Sequence, residues 1–191
     1  MRCYLSILLF LLLLAPAKAQ PKYEVRAAWV TAVYGLDWPR TKATTPTAIR
    51  RQQEELTDIL DKLKAANFNT ILFQTRTRGD VLYHSSIEPY NSILTGKVDG
   101  DPGYDPLAFA VRECHKRGME CHAWMVAIPL GNKKHVASLG NKSVTKQRKE
   151  ICIPYKNEYF LNPGHPSTKE YLMKLVREVV TRYDIDGVHF D

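Results

Sequence analysis

Beyond its first twenty residues, this chain of 191 residues has no apolar run long enough to span a bilayer as a helix, so no membrane-spanning domain is expected. Cysteine is scarce: Cys3, Cys114, Cys121 and Cys152 are the whole set. Their spacing fits no zinc-site pattern, and the three outside the N-terminus are an odd number, so no disulfide framework is expected. Cys114 and Cys121 read instead as small buried hydrophobes, one on a helix and one on a strand. No glycine-rich phosphate loop follows the first strand pattern, which argues against a nucleotide-binding sheet. No recognisable nucleic-acid module is present, and no single strand carries a spaced histidine pair. Neither nucleic acid, a metal nor another cofactor is expected as a partner.

What is present begins with an export signature. Arg2 supplies a positive flank, residues 5–14 form a short apolar run, and Ala17-Lys18-Ala19 gives a small-x-small cleavage pattern before Gln20. Residues 1–19 are therefore predicted to be a signal peptide. The mature chain, 20–191, is expected in the periplasm or outside the cell with no stable membrane anchor. The formal charge is +7, and two of its positive charges, Arg2 and Lys18, leave with the signal. Most other basic residues alternate with acids, as on solvated helix faces. Residues 133–149 are denser, with Lys133, Lys134, His135, Lys142, Lys146, Arg148 and Lys149. That run reads either as an exposed loop with a short helix or as a rim attracting a polyanion such as an acidic glycan.

Strand and helix patterns then alternate. Residues 24–33 read as a first strand. Thr45 and Pro46 open a helix to about residue 66, with Ile49, Leu56, Ile59, Leu60 and Leu63 on one face. Residues 69–75 read as a second strand, and Asp105-Pro106 opens a second helix closed by Lys116-Arg117-Gly118. Residues 119–128 read as a third strand, a third helix starts at Pro166, and the last five residues read as a fourth strand. The connections after strands are long and those after helices very short. In a (β/α)8 barrel the loops after strands build the active face. The predicted fold is α/β, the N-terminal half of a (β/α)8 TIM barrel with about four βα units. The chain is expected to be a piece of a longer protein, cut at the fourth strand and inactive alone.

Alternation along each strand sorts the chemistry. Gly187, His189 and Asp191 share a side, as do His122 and Trp124, and Gln74 and Arg76, with Trp29 joining from the first strand. Those side chains are predicted to face one cavity, with Asp191 at the strand end where barrels hold their reacting groups. Flat aromatic rings stack on pyranoses, Gln, Arg and His hydrogen-bond hydroxyls, and a carboxylate supports an oxocarbenium-like transition state. Each residue alone has a plainer reading. Asp191 fits a helix cap, the histidines and tryptophans fit a core, and Arg76 and Arg78 beside Asp80 fit a loop-bracing ion pair. A metal-dependent hydrolase with His122, His189 and Asp191 as ligands is a further reading.

Six stretches carry a resemblance: VRAAWVT at 25–31, FQTRTRGD at 73–80, YDPLAF at 104–109, HKRGMECHAW at 115–124, LNPGHP at 161–166 and DGVHFD at 186–191. Through them the chain resembles the glycosyl hydrolase-like 10 family, the DUF187-type family 10 glycosylhydrolases. The resemblance implies an exported (β/α)8 barrel longer than this chain, acting on glycosidic bonds. The implied substrate is peptidoglycan glycan or another bacterial polysaccharide. It implies a role for Asp191 as nucleophile or acid/base, and places Asn162, within the fifth stretch, among the substrate-binding residues. Hydrolysis ordinarily needs two carboxylates about 5–10 Å apart. The second is expected outside this chain, with Glu88 and Asp80 as weaker choices. A barrel that binds glycans without cleaving them is the alternative.

Overall fold

Each long segment that alternates or repeats at helical spacing becomes an element of one layered unit. The computed structural model describes residues 24–191, so the expected signal peptide lies outside the described residues. Strand β1 (Ala27–Val30) leads through a loop to α1 (Pro46–Ala65). The Thr45 hydroxyl accepts the Ala48 amide proton at 3.2 Å, satisfying one of the free donors of the first turn. Leu56 and Leu60 are fully buried on the inner face of α1. Gln52, outside the apolar pattern, is buried as well, because its amide donates to the carbonyls of Thr41 and Leu94 at 2.6 and 2.9 Å.

Strand β2 (Thr70–Arg76) is buried along its whole length. It is followed by α2 (Pro106–Lys116), whose N-terminus is capped by Asp105 accepting from the Ala108 amide at 3.0 Å, and by β3 (Glu120–Met125). The next stretch, expected as a long loop with a short helix within 133–149, contains β4 (Pro129–Asn132), α3 (Lys133–Ser138), α4 (Val144–Gln147), β5 (Cys152–Tyr155) and β6 (Glu158–Leu161). Its strands form a small antiparallel sheet in the order β4-β6-β5. Four residues are too few for a readable alternation, and prolines in β4 and β5 hide them further. Helix α5 (Pro166–Arg182) and β7 (Gly187–Phe190) close the described chain.

The four strands β1, β2, β3 and β7 lie in that order in one sheet, every neighbouring pair parallel. Paired positions in a parallel ladder face the same way, so the register divides the sheet into two surfaces. Val30, Phe73, Ala123 and Val188 form one row, with Ile71 and Cys121 on the same side. That side packs with Leu56, Leu60, Leu107, Ala110, Cys114 and Leu175 from the helices. Each such fully buried large aliphatic side chain contributes about 1.5–3 kcal/mol. The opposite surface has no helix on it and carries the polar and aromatic residues. It is concave. Trp29 on β1 and His189 on β7 touch, although edge strands of a flat four-stranded sheet would lie about 14 Å apart.

The connection between β2 and α2 is long but well packed, with Val81, Leu82, Tyr83 and Leu94 fully buried. Cys114 and Cys121 are buried free thiols on α2 and β3, and Cys152 is a half-buried free thiol. No described helix is long and apolar enough to cross a membrane.

Candidate functional site

The open surface of the sheet is built in tiers by the register. The lower tier holds Trp29, Leu72, His122 and Gly187; the tier above it holds Gln74, Trp124 and His189. Beyond His189 the ladder continues: the Asp191 amide donates to the Met125 carbonyl at 3.2 Å, and the Ala127 amide donates to the Asp191 carbonyl at 2.9 Å. This main-chain pairing seats Asp191 at the C-terminal end of the sheet, exposed, and alternation gives it the side of His189.

The Trp29 indole donates to His189 Nε2 at 3.3 Å, and the two rings meet edge to face with centroids 5.8 Å apart. An indole N–H can only donate, so His189 accepts on Nε2 and its mobile proton resides on Nδ1. Trp29 remains 56% exposed and offers a broad ring to the concavity. The Trp124 indole N–H is buried beside them with no partner among the described residues. An unpaired buried donor is costly, which makes that N–H a natural point for a ligand hydroxyl or an ordered water.

His122 lies one tier lower, further from the strand ends. Its Nε2 is 3.0 Å from Glu120 Oε2, and its ring rests over Gly187. A Cβ at Gly187 would stand 2.6 Å from His122 Nδ1, so glycine is what lets the imidazole lie there. Gln74 is on the same surface but buried. Its amide oxygen accepts from the Thr31 hydroxyl and from the Ala32 and Val33 amides at 2.9, 2.8 and 3.1 Å. That oxygen ties down the exit of β1.

One member expected in the cavity is placed otherwise. Strict alternation would turn Arg76 into the cavity. A bulge between Gln74 and Arg76 instead pairs Arg76 with Met125, a residue of the helix-facing side. Its guanidinium is fully buried against Glu88, with Nη2 to Oε1 at 2.7 Å and Nε to Oε2 at 2.8 Å. It also donates to the carbonyls of Val126 and Ala127, while the Tyr171 hydroxyl donates to Glu88 at 2.6 Å. Burial pushes the Tyr171 hydroxyl far above its ordinary range, reinforced by the Glu88 charge. Glu88, considered as a spare carboxylate, is consumed in the same cluster. Asn162 spends its side-chain oxygen on the Gly164 amide at 3.0 Å, and its carbonyl accepts from Thr168, shaping the turn into α5.

The metal-ligand reading gains no geometry. His122 and His189 are engaged with Glu120 and Trp29, and no three His, Cys, Asp or Glu side chains gather as ligands among the described residues. Sequence reasoning missed Asp37, an exposed carboxylate after β1 whose Oδ2 accepts from the Thr31 amide at 2.9 Å. It also missed Tyr34, 76% exposed in the same loop. Neither falls in a periodic pattern, so only their nearness to a strand end was available as a signal.

Residues 24–191 match the family described as Glycosyl hydrolase-like 10. Glycosyl hydrolase YngK of Bacillus subtilis (strain 168) is 34% identical over 176 residues, covering 92% of this chain and 34% of that protein. Glycosyl hydrolase DigH of Escherichia coli (strain K12) is 34% identical over 190 residues, covering 92% of this chain and 43% of its own length. This chain thus spans well under half the length of either relative. Among solved structures, the maltogenic alpha-amylase AmyB from Thermotoga neapolitana superposes with a TM-score of 0.55 at 15% identity, covering 86% of this chain and 38% of that one. That likeness concerns the fold.

Proposed function

The chain belongs to the glycosyl hydrolase-like 10 family, and from that premise we propose that it supplies the first three βα units and the fourth strand of a (β/α)8 barrel glycoside hydrolase. In this reading the concave surface is the barrel interior and Asp191 is a strand-end carboxylate acting on the glycosidic bond. Trp29 and Trp124 give the sugar apolar faces, and His189 offers its Nδ1–H to a hydroxyl. The substrate is a bacterial cell-wall glycan or a related polysaccharide, met in the periplasm or outside the cell after export. The observation that carries this reading is the Trp29–His189 contact across the curled sheet, directly below the strand end that holds Asp191.

In the full-length protein, Asp191→Asn is expected to lower turnover on glycan strands at least ~10²-fold while glycan binding persists. Wild-type-like turnover from that variant would remove Asp191 from the chemistry. A binding-only barrel is the second reading. It is favoured by the commitments of Asp80 and Glu88, which leave Asp37 and Asp191 as the accessible carboxylates near the ends of β1 and β7. Absence of any new reducing end from the wild-type protein, by product chromatography, would decide for it.

A further inference from the structure

The loops leaving β1, β2 and β4 enclose a second opening at the C-terminal end of the sheet. It is a cleft of about 210 Å³ whose lining includes Tyr34, Thr77, Arg78, Asn91, Asn132 and His135. Tyr34 adopts φ 57° and ψ 12°, a left-handed conformation that disfavours side chains other than glycine. The turn that imposes it, with the Gly35 amide donating to the Ala32 carbonyl at 2.9 Å, holds the phenol out in water. The Arg78 guanidinium lies 5.5 Å from the Tyr34 ring centroid and donates to its hydroxyl at 3.1 Å.

Arg78 forms no ion pair among the described residues, although Asp80 is two positions away. The Asp80 carboxylate is occupied by the Thr77 hydroxyl, by the Arg78 main-chain amide at 3.2 Å and by His135 Nε2 at 3.5 Å. His135 Nε2 also lies 3.0 Å from the Arg78 carbonyl, an acceptor only, so that nitrogen carries its proton. The ring has a fitted seat. Gly131, at φ 92°, sits where a Cβ would come within 2.7 Å of His135 Cδ2. Asp80 and His135 therefore fix the main chain at Arg78 while leaving its charge uncompensated. Lys133 and Lys134 follow Asn132 directly in sequence and have no carboxylate partner among the described residues, so the rim beside the cleft is basic.

We propose that this cleft is a subsite for a sugar residue bearing a carboxylate. Arg78 pairs with the carboxylate, since a planar guanidinium matches its two oxygens, and Tyr34 lends its ring to the pyranose. The basic helix start draws acidic chains toward the mouth. The saccharide identity rests on the glycosidase reading above; the anion preference rests on Arg78 alone.

The test is calorimetric titration of the full-length protein carrying Asp191→Asn, so that binding is read without turnover. The probes are a tetrasaccharide of alternating N-acetylglucosamine and N-acetylmuramic acid with free lactyl carboxylates, a tetragalacturonate, and the carboxyl-reduced form of each. At least one acidic chain is expected to bind about tenfold more tightly than its reduced form, and the pair that discriminates identifies the carboxylate's source. Adding Arg78→Gln brings the acidic chain down to its reduced counterpart, Arg78→Lys recovers part of the difference, and Tyr34→Ala weakens both forms alike. Equal affinity for charged and reduced chains, a preference that survives Arg78→Gln, or no binding of either acidic chain overturns the proposal. Hydrolysis by the wild-type protein is read separately on the same chains. A protein that discriminates without cleaving rejects the hydrolase reading and keeps the subsite; one that cleaves without discriminating does the reverse.

Discussion

Arg76 and Arg78 are separated only by Thr77, yet they inhabit opposite kinds of surroundings. Arg76 is sealed between β2, the loop after it and α5, and its donors reach Glu88, Val126 and Ala127. Arg78 stands half-exposed over Tyr34 with no acid against it. The difference is one of satisfaction. A buried charge survives only when its partners replace the lost water, and a cluster so complete has nothing left for a ligand. An uncompensated guanidinium held at a strand end still has its interaction to make. The helix side of β2 is thus where polar residues hold the fold, and the loop side is where they remain available.

The comparison breaks most visibly if the two arginines are removed in turn. Arg76→Met leaves Glu88 charged and buried, and should destabilise the full-length protein by about 3–5 kcal/mol in urea denaturation. Replacing Arg76, Glu88 and Tyr171 together with Met, Leu and Phe should recover part of that loss, because no stranded charge remains. Arg78→Gln should shift stability by no more than about 0.5 kcal/mol, as for a surface change. Equal losses from the two single variants would erase the distinction between the regions.

A smaller effect tests the concave surface. Gly187→Ala places a methyl group against the His122 ring and should cost about 1–3 kcal/mol. The imidazole resonances of His122 should move as the ring leaves Glu120, while those of His189, a tier above, should stay. An unchanged His122 would mean that the ring does not rest on Gly187.

The smallest effect concerns acid. Partial burial pushes the Glu178 carboxyl up, but the hydroxyls of Ser85 and Ser86 and the Ser86 amide outweigh it and hold it below its ordinary value of 4.5. A carboxyl depressed in the folded state adds stability above its unfolded value, and that stability fades as pH falls through the lower folded value. Glu178→Gln should therefore cost about 1 kcal/mol at neutral pH and flatten the loss of stability below about pH 4.5. A variant with an acid limb as steep as the wild type would show that Glu178 does not anchor residues 85–86 to α5.

Much of this was legible along the chain. Thr45 with Pro46 and Asp105 with Pro106 mark the starts of α1 and α2, because a cap and a first-turn proline are local chemistry. The orientations of Trp29, Trp124 and His189 follow from period-two alternation within single strands, a local rule as well. Where alternation failed, at Arg76, one extra residue in the ladder was enough, and no feature of TILFQTR announces a bulge. The small sheet of β4, β5 and β6 escaped for a related reason: its strands exist through pairing with one another across intervening loops.

The sequence alone thus determined the alternation of the main-sheet strands with α1, α2 and α5, the limits of those helices and the side on which Trp29, Trp124 and His189 stand, since all depend on neighbours a few positions away. Tertiary structure alone decided that Trp29 reaches His189 from the far edge of the sheet, that Arg76 is spent on Glu88, and that Arg78 is left unpaired. Those outcomes depend on curvature, register and distant partners, and each joins residues whose separation along the chain says nothing about their separation in space.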